Sequence, residues 1–162
     1  MNIEKMTTTM QQALGQAQQI AMVRKHQEID IPHLWKVFME PNHFARNLYS
    51  DLQVNDKEFE ELIDKELGRI SVVEGQNVQY GQSMSQNLYR LFTEAEKIRE
   101  SFKDDYLSTE VVVLALMELQ NHPLTRYLVQ HHITKENLRA RIEELRGGER
   151  VTNQNQEEQY KA

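Results

Sequence analysis

The chain has 162 residues, 39% of them apolar, a formal net charge of −6 and no cysteine. That length fits one domain or two small lobes sharing a core, and the acidic balance, with no basic run for phosphates, disfavours a nucleic-acid partner. Lack of cysteine excludes disulfides and thiolate metal sites and is compatible with a reducing compartment.

The start, Met1-Asn2-Ile3-Glu4-Lys5, shows no basic region followed by an apolar run, and no stretch approaches the ~18 consecutive apolar residues of a membrane span. The expected address is the cytoplasm. From Thr7 to about Lys25 the residues Met6, Met10, Ala13, Leu14, Ala17, Ile20 and Ala21 recur at helical spacing. Thr7, Thr8 and Thr9 offer caps, and Thr8 with Gln11 has the spacing of a capping box. Asp30-Ile31-Pro32 opens a second helix, with Leu34, Val37 and Phe38 inward and Pro41 as its stop. A short third helix is expected over 42–51. A fourth follows Asn55, which with Glu58 again has capping-box spacing, and ends at Gly68. Residues 71–83, with Gly75 and Gly81 among Gln, Asn and Ser, read as a linker.

The pattern then repeats. Met84 lies 78 positions after Met6, and at that offset Ala17 meets Ala95, Ile20 meets Ile98, Lys25 meets Lys103 and Met39 meets Met117. One inserted residue moves the offset to 79, at which Asn42-His43 meets Asn121-His122, Ile63 meets Ile142 and Gly68 meets Gly147. The identities fall on the apolar stripe and at helix ends, where a shared structure holds them. The second copy therefore predicts a helix carrying Leu88, Leu91, Phe92, Ala95 and Ile98, then a turn at Asp104-Asp105-Tyr106-Leu107. Ser108 caps the next helix in the place of Asp30. The run Val111-Val112-Val113 favours a strand on propensity alone, but its counterpart His33-Leu34-Trp35 lies in a helical pattern, so a helix is expected. Pro123 and Thr134 open the last two helices, and Gly147-Gly148 stops the final one. From Glu149 the composition turns to Gln, Asn and Glu, as in a linker. The expected fold is all-α, with eight helices in two four-helix repeats about an approximate two-fold axis. Repeat one spans 6–68, repeat two spans 84–147, and together they form a domain over 1–148 followed by a linker over 149–162.

Catalytic patterns are missing. None of the six glycines begins a phosphate loop, no glycine-flanked serine suits a nucleophile, and no cysteine is available. His131-His132 and His26 with His33 are the histidine groupings to test as metal sites, against a reading as surface histidines. Glu58-Glu60-Glu61 reads as a solvated face. Asp104, Asp105 and Glu110 surround a turn beside Phe92 and Val111, where capping and binding are both open readings.

The units Met6–Gly68 and Met84–Gly147 resemble the paired Clp repeats at the amino terminus of Clp-type AAA+ ATPases. The residues that carry this are His26-Gln27-Glu28-Ile29-Asp30-Ile31-Pro32-His33-Leu34, Asp105-Tyr106-Leu107-Ser108-Thr109-Glu110, and Arg146-Gly147-Gly148-Glu149-Arg150-Val151. The last is similar to the exit sequence of the ClpB-type disaggregases. The resemblance implies a non-catalytic, double Clp-repeat domain that captures unfolded or aggregated polypeptide in an apolar groove, with ATP bound only by modules absent from this chain. It also implies a cytoplasmic homohexamer, working with a DnaK-type chaperone through absent regions, and a monomeric isolated domain. Family positions linked to substrate map onto Thr7, Asp104, Glu110 and Val111, with Phe92 lining the same groove. Glu94 stands where relatives can carry an apolar residue. Acidic neighbours would favour clients with Lys or Arg. The alternatives are the adaptor-docking domain of a protease-coupled Clp ATPase and, from other classes, a hydrolase, a metal protein or a passive spacer.

Overall fold

A computed structural model describes residues 2–157. The first half contains α1 Thr8–Val23, α2 Ile31–Phe38, α3 Phe44–Asp51 and α4 Asp56–Gly68; the second contains α5 Gln86–Phe102, α6 Thr109–Leu116, α7 Pro123–Gln130 and α8 Lys135–Arg146. A 3-10 turn at Ile3–Lys5 precedes α1, and two short strands, β1 Glu28–Ile29 and β2 Ser83–Met84, flank the crossover. The eight-helix, all-α expectation holds among the described residues.

Helices begin where a side chain takes up their first free amides. Thr7 accepts from the Met10 amide at 3.2 Å, Asn55 from Glu58 at 3.0 Å and Ser85 from Leu88 at 3.0 Å. Thr134 and Asn137 form a reciprocal capping box. The box expected of Thr8 and Gln11 does not form: the cap lies one residue earlier, and Gln11 donates to the Met6 carbonyl at 3.0 Å. Only half of the Asn55 box forms, because Glu58 turns away to accept the Tyr127 hydroxyl at 2.9 Å.

The two central helices are α2 and α6. Every residue of α6 from Thr109 to Leu116 is buried, because α3, α5 and α8 all pack on it. A helix enclosed on all sides needs no polar face, so the valine run is helical despite its propensity. Its counterpart α2 packs on α1, α3 and α4 and buries all but Lys36. There the Trp35 indole N–H donates to the Tyr49 hydroxyl at 2.9 Å, satisfying a polar atom that burial would otherwise strand. Burial pushes the Tyr49 hydroxyl far above its usual range.

Two parallel backbone pairings join the halves: Glu28–Ile29 with Ser83–Met84, and Met6 with Leu107. The repeat offset of 78 takes Met6 to Met84 and Ile29 to Leu107, so one pairing is the pseudo-two-fold image of the other. The crossover segment 71–83 is fastened along this seam. The Val73 amide donates to the Lys25 carbonyl, the Gly81 amide to that of His26, and Gln18 to the Gly81 carbonyl at 2.8 Å. Gly81 sits at φ +64, and a Cβ there would lie 3.1 Å from the Gln18 carbonyl oxygen, so this close crossing requires glycine.

His26 and His33 are buried, not on the surface. The His33 Nδ1 accepts the Asp30 amide at 2.8 Å, which leaves its Nε2–H to donate to His26 Nδ1 at 2.8 Å. Both rings are therefore neutral. Burial, then the neighbouring His26, hold His33 down at about 4. Unfolded His33 gains its proton near 6.5, whereas the folded ring gains it only near 4, so stability is lost as pH falls through that window. The expected loss is at most about 3 kcal/mol, at roughly 1.4 kcal/mol per unit displaced. It should appear as a lower urea midpoint at pH 4.5 than at pH 7, with His33 ring resonances that do not titrate until pH is near 4.

Candidate functional site

The turn between α5 and α6 begins at Lys103, in the left-handed region at φ 60. It delivers Asp104 inward, 2% exposed, and then places Leu107 against Met6. Glu110 follows in the first turn of α6. Between these two acids lies Arg146, the last residue of α8. Its guanidinium donates to both Asp104 oxygens, at 3.1 and 2.8 Å, to Glu110 Oε2 at 3.2 Å and to the Ser108 hydroxyl at 3.4 Å. It also lies 4.6 Å from the centre of the Phe102 ring. The planar fork of arginine suits this bidentate grip, and burial strengthens it.

The exit segment closes over the same corner. Gly147 and Gly148, at φ 58 and 83, turn the chain back instead of leading it away. The Val151 amide donates to Asp104 Oδ1 at 2.9 Å, and its carbonyl accepts the Asp105 amide at 2.8 Å. The Thr8 amide donates to the Gln154 carbonyl at 2.8 Å. Glu157, 1% exposed, ends the strap. Its carboxylate accepts the Thr7 hydroxyl at 2.6 Å, the Thr109 amide at 2.8 Å and the Thr109 hydroxyl at 2.8 Å.

Thr7, Asp104, Glu110 and Val111 thus meet at one corner, but the open crevice expected there is filled by Val151 and Glu157. Val111 is 0% exposed and belongs to the core of α6, not to a groove wall. Asp104 and Glu110 are buried and share one cation, Arg146, so neither presents a carboxylate to a basic client at the surface. Ser108 holds the N-cap position of α6 but makes no side-chain cap bond; the Glu157 carboxylate does that work. Phe92 makes no hydrogen-bonded or ring contact with this corner among the described residues. It lines a shallow depression of about 330 Å³ with Asn2, Lys5, Tyr89, Thr93 and Glu96. Tyr89 is 63% exposed there, whereas Phe92 itself is 1% exposed. Arg146 and Glu157 escaped sequence reasoning, since their partners lie 36 to 150 positions away. The one available signal was a charged pair, Arg146 and Arg150, bracketing a double glycine. No group of three potential metal ligands exists among the described residues.

Burial, and then the neighbouring Glu110 carboxylate, push Glu157 up to about 7, against the pull of its three donors. Glu110 Oε1 is itself buried without a partner among the described residues. Asp104 and Arg146 are the other charges facing this cluster.

Two similar helical halves, joined by mirrored backbone pairings and closed by their exit segment, define a double-repeat domain of the Clp class. The chain belongs to the Clp repeat (R) N-terminal domain family, whose pattern matches residues 5–131. It is 59% identical over 162 residues to the chaperone protein ClpB of Enterococcus faecalis and 57% identical to that of Lactococcus lactis subsp. cremoris, covering 100% of this chain and 19% of each relative. The chain therefore spans about a fifth of the length of those relatives. The fold is shared with the Hsp104 N-terminal domain from Candida albicans, at a TM-score of 0.75 and 19% identity over 93% of this chain and 97% of the other. It is also shared with the ClpV N-domain in complex with a VipB peptide, at a TM-score of 0.71 and 20% identity over 87% and 86%.

Removing the central cation should leave two buried acids uncompensated. Arg146→Met is expected to cost about 3–5 kcal/mol in urea unfolding; a loss below about 1 kcal/mol would show the corner to be solvated. The docked Glu157 keeps its proton up to about 7 and the free one only to about 4.5. Docking is therefore favoured as pH falls through that window and is weakest above it. The Val151 amide, compared with that of Ile63 in α4, should be better protected from exchange at pH 6 than at pH 8.

Proposed function

We propose that this chain is the amino-terminal, polypeptide-binding domain of a ClpB-type disaggregase, and that it presents unfolded segments to ATPase modules lying outside it. The observation that carries this reading is the 59% identity to a ClpB chaperone across the whole chain. ATP, a hexameric ring and a DnaK-type partner belong to the same proposal, through regions beyond these residues, as does a cytoplasmic address. The chain itself is read as non-catalytic.

The surface that best suits weak capture is the depression beside Phe92. Tyr89 leaves apolar area there that a client can cover, at about 25 cal/mol per Å² buried. Ordering a flexible client offsets much of that gain, so contacts are expected to be weak and multiplied by repeated copies. A second reading is a docking domain for one dedicated partner, as in the protease-coupled Clp ATPases. The ClpV N-domain that shares this fold holds a VipB peptide, which supports that alternative.

Titrating unrelated unfolded proteins into the labelled chain separates the two. General capture is expected to shift the amides of Lys5, Tyr89 and Phe92 with every client, and Tyr89→Asp should weaken this at least several-fold while leaving stability within about 0.5 kcal/mol. Shifts with no client would sink the capture reading if they are absent throughout; a response to one protein alone would favour the docking domain. Val111→Asp is unsuited as a probe, because it would place a charge in the core.

A further inference from the structure

The repeat gives each half the same seat, and only one is filled from within. In the first half, the Ser85 hydroxyl donates to Asp30 Oδ1 at 2.6 Å, and that carboxylate takes the Ile31 amide of α2 at 2.8 Å. Adding 78 takes Asp30 to Ser108 and Ile31 to Thr109; subtracting it takes Ser85 to Thr7. In the second half, Thr7 and Thr109 are present, but Ser108 has no carboxylate. Glu157 supplies one from 48 positions further along, at the same 2.6 and 2.8 Å. The second seat is thus a socket for a carboxylate, lined by the cap of one helix and the first turn of another.

We propose that this socket is a receptor for an acidic polypeptide segment that follows the path of the strap, filled at rest by residues 149–157 and exchangeable for a matching segment of a client. This rests on the reading of the chain as a polypeptide-binding domain.

The seated strap defines what the socket takes. An aliphatic residue occupies the Val151 place, 0% exposed, and an acidic side chain follows six positions later. Between them the Asp105 amide, the Thr8 amide and the Asp104 carboxylate meet main-chain groups of the strap, and the Gln154 side chain donates to the Glu4 and Met6 carbonyls at 2.9 and 3.4 Å. The main-chain groups are common to any sequence, so the residues at the Val151, Gln154 and Glu157 places carry the selectivity. The strap is also built to leave. It holds only turns and a 3-10 turn at 156–157, the glycine pair at its root has open space where Cβ atoms would stand, and Glu149, Arg150, Thr152, Asn153 and Asn155 are exposed. A hollow of about 270 Å³ lies along its own side chains. The Glu110 carboxylate, with one unpartnered buried oxygen, opposes the acid it sits beside.

The test uses the full chain and a peptide of residues 149–157, acetylated and amidated so that Glu149 and Glu157 carry its only carboxylates. Against a Glu157→Gln chain, the peptide is expected to shift the amides of Thr7, Thr8 and Thr109. At pH 8, where the docked Glu157 is ionised, the same peptide with Glu157→Gln should bind about tenfold more weakly, the worth of a charged hydrogen bond. Against a Ser108→Asp chain, which fills the socket from within, the acidic peptide should lose about the same factor, while the chain's own Val151 amide exchanges faster. Equal binding of both peptides, or undiminished binding to Ser108→Asp, overturns the proposal. So does strap exchange between copies, seen as a concentration-dependent dimer that excludes the peptide. If Glu157→Gln does not fold, excess peptide added to the unsubstituted chain must speed Val151 exchange, or the proposal fails. Unfolded proteins that shift Tyr89 and Phe92 while the peptide binds nowhere would leave the capture function standing and remove only the socket; the converse result removes only the function.

Discussion

Everything in this fold is arranged around a seam only a few residues long. Met6 lies beside Leu107, and Ile29 lies beside Met84, in parallel. Each pairing brings the start of one helix in one half next to the start of another helix in the other half. Four helix beginnings therefore converge in two places, and each place concentrates unsatisfied amides and the positive ends of backbone dipoles. Such places call for negative or hydrogen-bond-accepting groups. Asp30 answers at one of them and Glu157 at the other.

Around the second place the chain has gathered a compact charge cluster. Arg146 spans Asp104 and Glu110, reaching from the end of α8 across to α6 and the turn before it. A buried ion pair of this kind is not a strong source of net stability, because desolvation of the charges offsets most of their attraction. It does fix geometry. The Asp104 carboxylate that accepts the Val151 amide is the one gripped by Arg146. The end of the last helix, the turn before α6 and the exit segment are thereby registered against one another.

The sequence was informative wherever burial is periodic. The helical stripe through Met10, Ala13, Leu14 and Ala17, the recurrence at 78 positions and the stop at Gly147 all report local physics, and all reappear in the structure. The valine run was readable as helix only through its counterpart at His33-Leu34-Trp35. The candidate site was legible in part. Thr7, Asp104, Glu110 and Val111 do converge, but their roles depend on residues far away in sequence. Nothing local marks Arg146 as buried, and a segment rich in Gln, Asn and Glu reads as solvated although three of its residues, Val151, Gln156 and Glu157, are not. The His26–His33 contact was similarly hidden, since the two rings meet across a turn and not along one helix.

The backward fold of the exit segment bears on how this domain would carry mechanical load. In a longer protein, tension reaching residue 157 would act on the hydrogen bonds that one carboxylate makes to Thr7 and Thr109. Once those and the contacts of Val151 and Gln154 part, the nine residues from 149 to 157 can straighten to a span of roughly 30 Å, at about 3.4 Å each. The domain could then swing widely on its tether with its core still closed.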